Sequence, residues 1–300
     1  MAIHIDVCFF CGNLFAQQDP QFSLYMFDKM ALNPAATGMK DALEATVISR
    51  EQWLGMSGAP STNAVLLEAP LNSKNVAWGV ELMNDRTGPA SNTMLQGNYA
   101  YKIKVGNGKL AMGLGLQVSD YAIDWQQIDM PDKSSDLYNA NTSLSKILPD
   151  AEAGLFYNNE SFYAGLSYAH LLQPKLTTIS DANASFSPHA YFITGYAFRI
   201  SENVLLNPSL VYQWVSNAPS AGSININALL ADKFWVGVSA KLNYGAAFIV
   251  AYKASDMFLV GYAYDLGVNG IGNVGGGSHE LSLQINLAPK KIVQLSPRFF

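Results

Sequence analysis

From about residue 43 onward the chain alternates apolar residues with small or polar ones, the two-residue period of a strand whose faces meet different surroundings. Val76, Trp78, Val80 and Leu82 share one parity against Ala77, Gly79 and Glu81. Leu110, Met112, Leu114, Leu116 and Val118 stand against Ala111, Gly113, Gly115, Gln117 and Ser119. The same holds for Phe234, Val236 and Val238 against Trp235, Gly237 and Ser239, and for Leu281, Leu283 and Ile285 against Ser282, Gln284 and Asn286. The helical period is absent from this region. One parity is oily and the other small or polar, segment after segment, and that pattern limits the fold to sheets with one apolar face.

Composition decides what the apolar face meets. Only 14% of the 300 residues are charged and 49% are hydrophobic, against roughly 25% charged in an ordinary soluble domain. A soluble sandwich needs charged outer faces that these strands lack, so something other than water covers part of the surface. Helical membrane spans are excluded, because they need about 20 mostly apolar residues. After Ala16 the longest stretch free of Asp, Glu, Lys and Arg covers 203–231, and Asn207, Pro208, Gln213, Asn217 and Pro219 interrupt it. The formal charge of -5 is unclustered and provides no basic footprint for nucleic acid.

Counting the alternating segments predicts about 14 strands of roughly 8 to 14 residues, the length a tilted strand needs to cross a bilayer. The connections alternate in length. Short ones fall at 106–109, 158–161, 201–203, 231–233 and 253–256, and long ones at 119–149, 171–187, 215–222 and the Gly-rich 267–278. A tight turn at Asn243-Tyr244-Gly245 is the exception on the long side. Short periplasmic turns and long external loops are what an outer-membrane barrel requires. Phe162, Phe198, Phe234, Tyr252 and Phe258 lie beside the short turns, where an aromatic girdle meets the interface. The expected fold is therefore all-β: an outer-membrane antiparallel β-barrel of about 14 strands over 43–300, including a C-terminal tail and embedded in outer-membrane lipid.

Two segments precede the barrel. Val7 to Phe15 is apolar, ends at Ala16 and is followed by polar Gln17-Gln18-Asp19, which reads as a signal peptide over 1–16. Asp6, the absence of Lys or Arg before the apolar stretch, and the bulk of Leu14 depart from the usual pattern, and a buried N-terminal strand is the other reading. Cys8 and Cys11, the two cysteines of the chain, would leave with the signal. Residues 17–42 form an N-terminal plug or periplasmic segment. Phe22, Tyr25, Met26, Met30 and Leu32 either line a short helix that stops at Asn33-Pro34 or belong to an extended chain. In both cases they need apolar cover, and a segment folded into the lumen supplies it.

Gln18-Asp19-Pro20-Gln21-Phe22-Ser23, Tyr25-Met26-Phe27 and Asn33-Pro34-Ala35 with Gly38 closely resemble the mature N-terminus of the PorP/SprF family of type IX secretion-associated membrane proteins. Arg50, Gln52-Trp53, Asn84-Asp85 and the ending Ser296-Pro297-Arg298-Phe299-Phe300 resemble that family's pattern as well. Leu24 stands where the pattern has a polar residue, and Ala36-Thr37 precede Gly38 where an aromatic followed by alanine is commoner. The resemblance implies an outer-membrane barrel that works with type IX secretion components to export or retain a secreted surface protein, such as a gliding adhesin, through that partner's C-terminal domain. It implies no cofactor. A channel or transporter for small or hydrophobic solutes is the alternative.

Catalytic and metal signatures are weak. His170, His189 and His279 are far apart and lack HExxH-type spacing, so isolated barrel or loop histidines are expected. Gly270-x-Gly272-x-x-Gly275 is followed by a strand-like segment, not by the helix N-terminus that a dinucleotide phosphate needs. Asp120, Asp124, Asp129, Asp132 and Asp136 lack the central Gly and terminal Glu of a calcium loop. The expectation is a protein that is not an enzyme.

Overall fold

The computed structural model describes residues 19–40, 42–71, 75–124, 127, 144–176, 185–216, 218–268 and 275–287. Residues 1–16, Gln18, the aspartates 129, 132 and 136, residues 269–274 of the Gly-rich connection and the ending with Arg298 lie outside them.

Strand segments follow one another in chain order: β1 Glu44–Glu51, β2 Ser61–Pro70, β3 Val76–Thr87, β4 Ala90–Val105, β5 Gly108–Ile123, β6 Leu144–Asn158, β7 Phe162–Ala169, β8 His189–Tyr196, β9 Phe198–Ser201, β10 Val204–Val215, β11 Ala221–Leu230, β12 Phe234–Lys241, β13 Gly245–Lys253, β14 Phe258–Gly267 and β15 Ser278–Asn286. Each pairs antiparallel with its neighbour, and β15 pairs with β1 to close the sheet on itself. β8 and β9 both pair with β10 and are separated only by Ala197, whose N–H turns to the Ser161 carbonyl. They are two stretches of one stave, so the closed barrel has fourteen staves. Closure leaves no unpaired sheet edge, which a bilayer would not tolerate.

The alternation read from the sequence is the alternation of the two barrel faces. Val47, Leu82, Leu95, Leu116, Val238, Phe248 and Leu281 are exposed, whereas Thr46, Glu81, Gln96, Ser119, Ser239, Ala247 and Ser282 are buried. Phe234 and Tyr252 are register partners on β12 and β13, stack at 4.9 Å and are both exposed beside short turns. Strand lengths exceed expectation in places. β4 and β5 reach 16 residues, so the long connection expected at 119–149 shrinks to 124–143, because Ser119 to Ile123 and Leu144 to Pro149 continue the ladder beyond the roughly 9 to 11 residues a bilayer needs. The end carrying the long connections also has a second tight turn at 88–89, between β3 and β4.

Residues 19–40 lie along the inner face, from Asp19 against His170 at the long-connection end to Lys40 against Glu44 at the short-turn end. Leu24, Tyr25, Met26, Phe27 and Met30 are buried there, and the Phe27 ring meets Trp235 edge-on at 5.8 Å. The segment makes isolated turns. Asn33-Pro34 does not stop a helix. Asn33 caps the one short 3₁₀ turn, Pro34–Ala36, and Pro34 occupies its first position, where a missing N–H costs nothing.

Candidate functional site at the mouth of the barrel

An irregular segment inside a barrel cannot satisfy its backbone groups by a ladder, so lumenal side chains must supply the partners. At the long-connection end, the N–H groups of Ser23 and Leu24 donate to the two oxygens of Glu280 at 2.7 and 2.8 Å. Arg50 on β1 donates to Glu280 at 2.8 Å and to Asp265 at 2.5 Å, and Lys241 reaches Asp265 at 2.7 Å. Two cations therefore balance two carboxylates among side chains that are almost wholly buried, which is the condition under which buried charge is tolerated. At the other end, the Gly38 N–H donates to Glu68 at 2.7 Å, and its carbonyl accepts from Lys102. Gln284 donates to the Phe27 carbonyl at 2.8 Å, and Ser167 to that of Leu32.

Asn33 ties the segment directly to the backbone of the wall. Its carboxamide nitrogen donates to the Leu155 and Leu166 carbonyls at 3.0 and 3.1 Å, and its oxygen accepts from the Ala35 N–H at 2.9 Å. The wall is flat at this point because the inward residues of β5 and β6 are the register partners Gly113 and Gly154. A Cβ on Gly154 would stand 2.1 Å from the Asn33 side-chain oxygen, and one on Gly113 would stand 2.1 Å from the Ala35 nitrogen. Gly79 on β3 likewise leaves room for the Met30 sulfur. The parity pattern places these glycines on the inner face, but their convergence depends on strand register.

Above the segment lies a vestibule of about 1060 Å³ at the long-connection end. Asp19, Pro20, Gln21 and Phe22 line it from the segment, while Arg50, Gln52, Trp53 and Asp85 line it from the barrel. Gln21 donates to Gln213 on β10 at 2.8 Å. Asp85 accepts from Thr62 at 2.6 Å, and Asn84 donates to Thr93 at 2.8 Å, tying β2, β3 and β4 together near their tops. Trp53, at φ 45°, packs on Gly275 of the neighbouring β14–β15 connection. Tyr25, Phe27, Asn33 and Pro34 lie deeper, with the Tyr25 hydroxyl between Ser209 and Asn225 at 2.9 Å from each. A neighbouring cavity between Phe22, Tyr25 and Gln213 is about 30 Å³, space for roughly one water.

His170 and His189 are not isolated, contrary to what their spacing predicts. The chain leaves β7 at His170 in the left-handed region, φ 58°, and re-enters the sheet at His189, so the connection between them returns both rings to one place, 5.2 Å apart. His170 Nε2 is 3.0 Å from Asp19 Oδ1, and its Nδ1 is 2.7 Å from Asp150 Oδ2. Asp150 is anchored in turn by the N–H groups of Ala151 and Leu172. Tyr191 donates to Asp19 Oδ2 at 2.9 Å. Burial opposes a charge on His170, but the Asp19 and Asp150 carboxylates outweigh it and raise the imidazole to about 10. Enclosure works against ionised Asp19 too, yet His170 and His189 hold it below the usual carboxylate range.

A closed antiparallel sheet of fourteen staves, with an apolar outer band and a polar, hydrogen-bonded interior, defines a β-barrel of the outer-membrane type. Within that class, the chain belongs to the PorP/SprF family of type IX secretion system membrane proteins, whose pattern matches residues 14–285. Its place is accordingly the outer membrane. The matched span ends before Ser296–Phe300, so the resemblance of that ending stands outside it. Among solved structures, the chain is similar to a Pseudomonas aeruginosa FadL homologue at 11% identity, over 87% of this chain and 93% of that one, with a TM-score of 0.47. It is also similar to the Ralstonia pickettii toluene transporter TbuX at 10% identity, over 86% and 92%, with a TM-score of 0.48. No curated protein matches it in sequence.

Proposed function

We propose that this barrel holds a secreted surface protein, such as a gliding adhesin, at its mouth by receiving that partner's C-terminal domain during or after type IX export, and that it catalyses no reaction. Residues 19–40 serve as a plug that closes the lumen and forms the floor of the docking site. The observation that carries this reading is the position of the family-signature residues: Asp19 to Phe22, Arg50, Gln52 and Trp53 meet around one vestibule at the long-connection end. At about 1060 Å³ it lies at the upper end of the roughly 300 to 1,000 Å³ usual for a small-molecule pocket and has room for a polypeptide element. Packed Phe22, Tyr25 and Phe27 stabilise the floor, each side chain by roughly 1.5 to 3 kcal/mol if fully covered.

Deleting the gene should remove one surface protein from the cell, or release it to the medium, while other type IX substrates are displayed normally. That surface protein should co-purify with the wild-type barrel, and less of it should be recovered with Phe22→Ala, Tyr25→Ala. Normal display in the deletion strain, combined with solute-specific conductance of the purified barrel, would replace docking by the channel reading.

A further inference from the structure

We propose that Asp19, His170 and His189 form a binding site for a divalent transition-metal ion of the zinc type, which staples the start of the lumenal segment to the tops of β7 and β8. One carboxylate oxygen and one nitrogen from each imidazole lie within 4.8 Å of one another. His170 Nε2 is 3.0 Å from Asp19 Oδ1, and His189 Nδ1 is 3.6 Å from Asp19 Oδ2. These two distances run to different oxygens of the carboxylate. With metal–ligand bonds of about 2.0 to 2.2 Å, ligand atoms around a tetrahedral zinc stand roughly 3.3 to 3.5 Å apart, so the three side chains, whose ligand atoms lie within 4.8 Å of one another, would close onto the ion by small side-chain rotations.

Two further observations point to a ligand. His189 is 1% exposed, and neither of its ring nitrogens makes a hydrogen bond of ordinary geometry; the Ser187 backbone is the polar group that approaches the ring most nearly besides Asp19. A buried polar group left so is costly, and an ion between His189 and Asp19 would satisfy one nitrogen. The outer partners are those of a metal-bound histidine and carboxylate: Asp150 holds His170 by Nδ1 and leaves Nε2 facing Asp19, and Tyr191 orients Asp19 from the other side. Without the ion, a proton between His170 Nε2 and Asp19 holds that pair together. The ion takes the proton's place and releases it to solvent. The borderline nitrogen and oxygen donors select zinc, nickel or copper over calcium and magnesium. Asp19 and His170 also line the vestibule, which provides the entry path and leaves a fourth coordination position for water or a partner's side chain.

The test uses the barrel purified in detergent, stripped with a chelator and titrated with zinc chloride by calorimetry, with metal content measured after gel filtration. Folding of each variant is checked by heat-dependent gel mobility. Wild type and His279→Ala should bind one zinc per barrel. His170→Ala and His189→Ala should abolish stoichiometric binding, and Asp150→Asn should weaken it about 10- to 100-fold. Cobalt in place of zinc should show tetrahedral d–d absorption that His189→Ala removes. If His189→Ala does not fold, His189→Phe keeps a ring in the same space without the ligand. Absence of stoichiometric zinc from the folded wild type, or binding that survives loss of His189, would overturn the site and leave a simple Asp19–His170 ion pair.

Discussion

At the residue scale, the signature side chains act as hydrogen-bonding tools that reach from the segment into the wall or from the wall into the segment. Asn33→Ala removes the side-chain hydrogen bonds to the Leu155 and Leu166 carbonyls and leaves the buried Ala35 N–H without its side-chain acceptor, and should cost about 1 to 3 kcal/mol in urea unfolding from detergent. Gly154→Ala should be damaging because its Cβ meets the Asn33 oxygen, and much less damaging once Asn33 is also alanine. Equal damage in both backgrounds would show that Asn33 does not dock at Gly154. Arg50→Ala strands Asp265 and Glu280 beside a single remaining Lys241. A loss of about 3 to 5 kcal/mol is expected from breaking a buried pair on one side only, while Arg50→Ala combined with Glu280→Gln should lose less. Asp19 and Arg50 stand out in the sequence only through resemblance. Their partners, His170, Asp265 and Glu280, are more than 150 residues away, and no spacing rule connects them.

At the element scale, the segment 19–40 and the barrel wall solve one another's problem. The polar inner parity of the strands would need water, and the irregular backbone of the segment would need partners. Glu68, Lys102, Gln284 and Glu280 meet both needs at once. A barrel without residues 19–40 should therefore still fold, with water hydrating those side chains, and should conduct ions in a planar bilayer where the whole protein stays closed. The paired substitution Gly113→Val, Gly154→Val should open it too, by evicting the segment. A conductance that is unchanged in both variants would mean that the segment does not close the lumen. The apolar residues that need cover in this segment were legible from composition. The choice between helix and irregular chain was not, because the wall, through Gly79, Gly113 and Gly154, decides which backbone path fits.

At the scale of the whole molecule, short and long connections separate to opposite ends, apart from the tight turns at 88–89 and 242–244 and the connection at 216–220, which is no longer than that at 71–75 on the other end. This asymmetry orients the protein in the membrane. Ser57 in the β1–β2 connection and Ser255 in the β13–β14 turn are both exposed. An impermeant maleimide should label Ser57→Cys in intact cells and Ser255→Cys only after the outer membrane is opened. Equal labelling of both in intact cells would contradict this orientation. The barrel itself should show β-rich circular dichroism and unfold on a gel only after heating.

What the sequence determined by itself was the wall: strand period, oily outer parity, small and polar inner parity, and the alternation of turn lengths, since each is a local property that a bilayer imposes on every crossing strand. Tertiary structure decided what occupies the interior. Strand register sets Gly113 beside Gly154 under Asn33, and the return of the chain between β7 and β8 brings His170 and His189 to Asp19. Such convergences depend on which residues of distant strands share a level in the closed sheet, and a period of two along the chain carries no information about level.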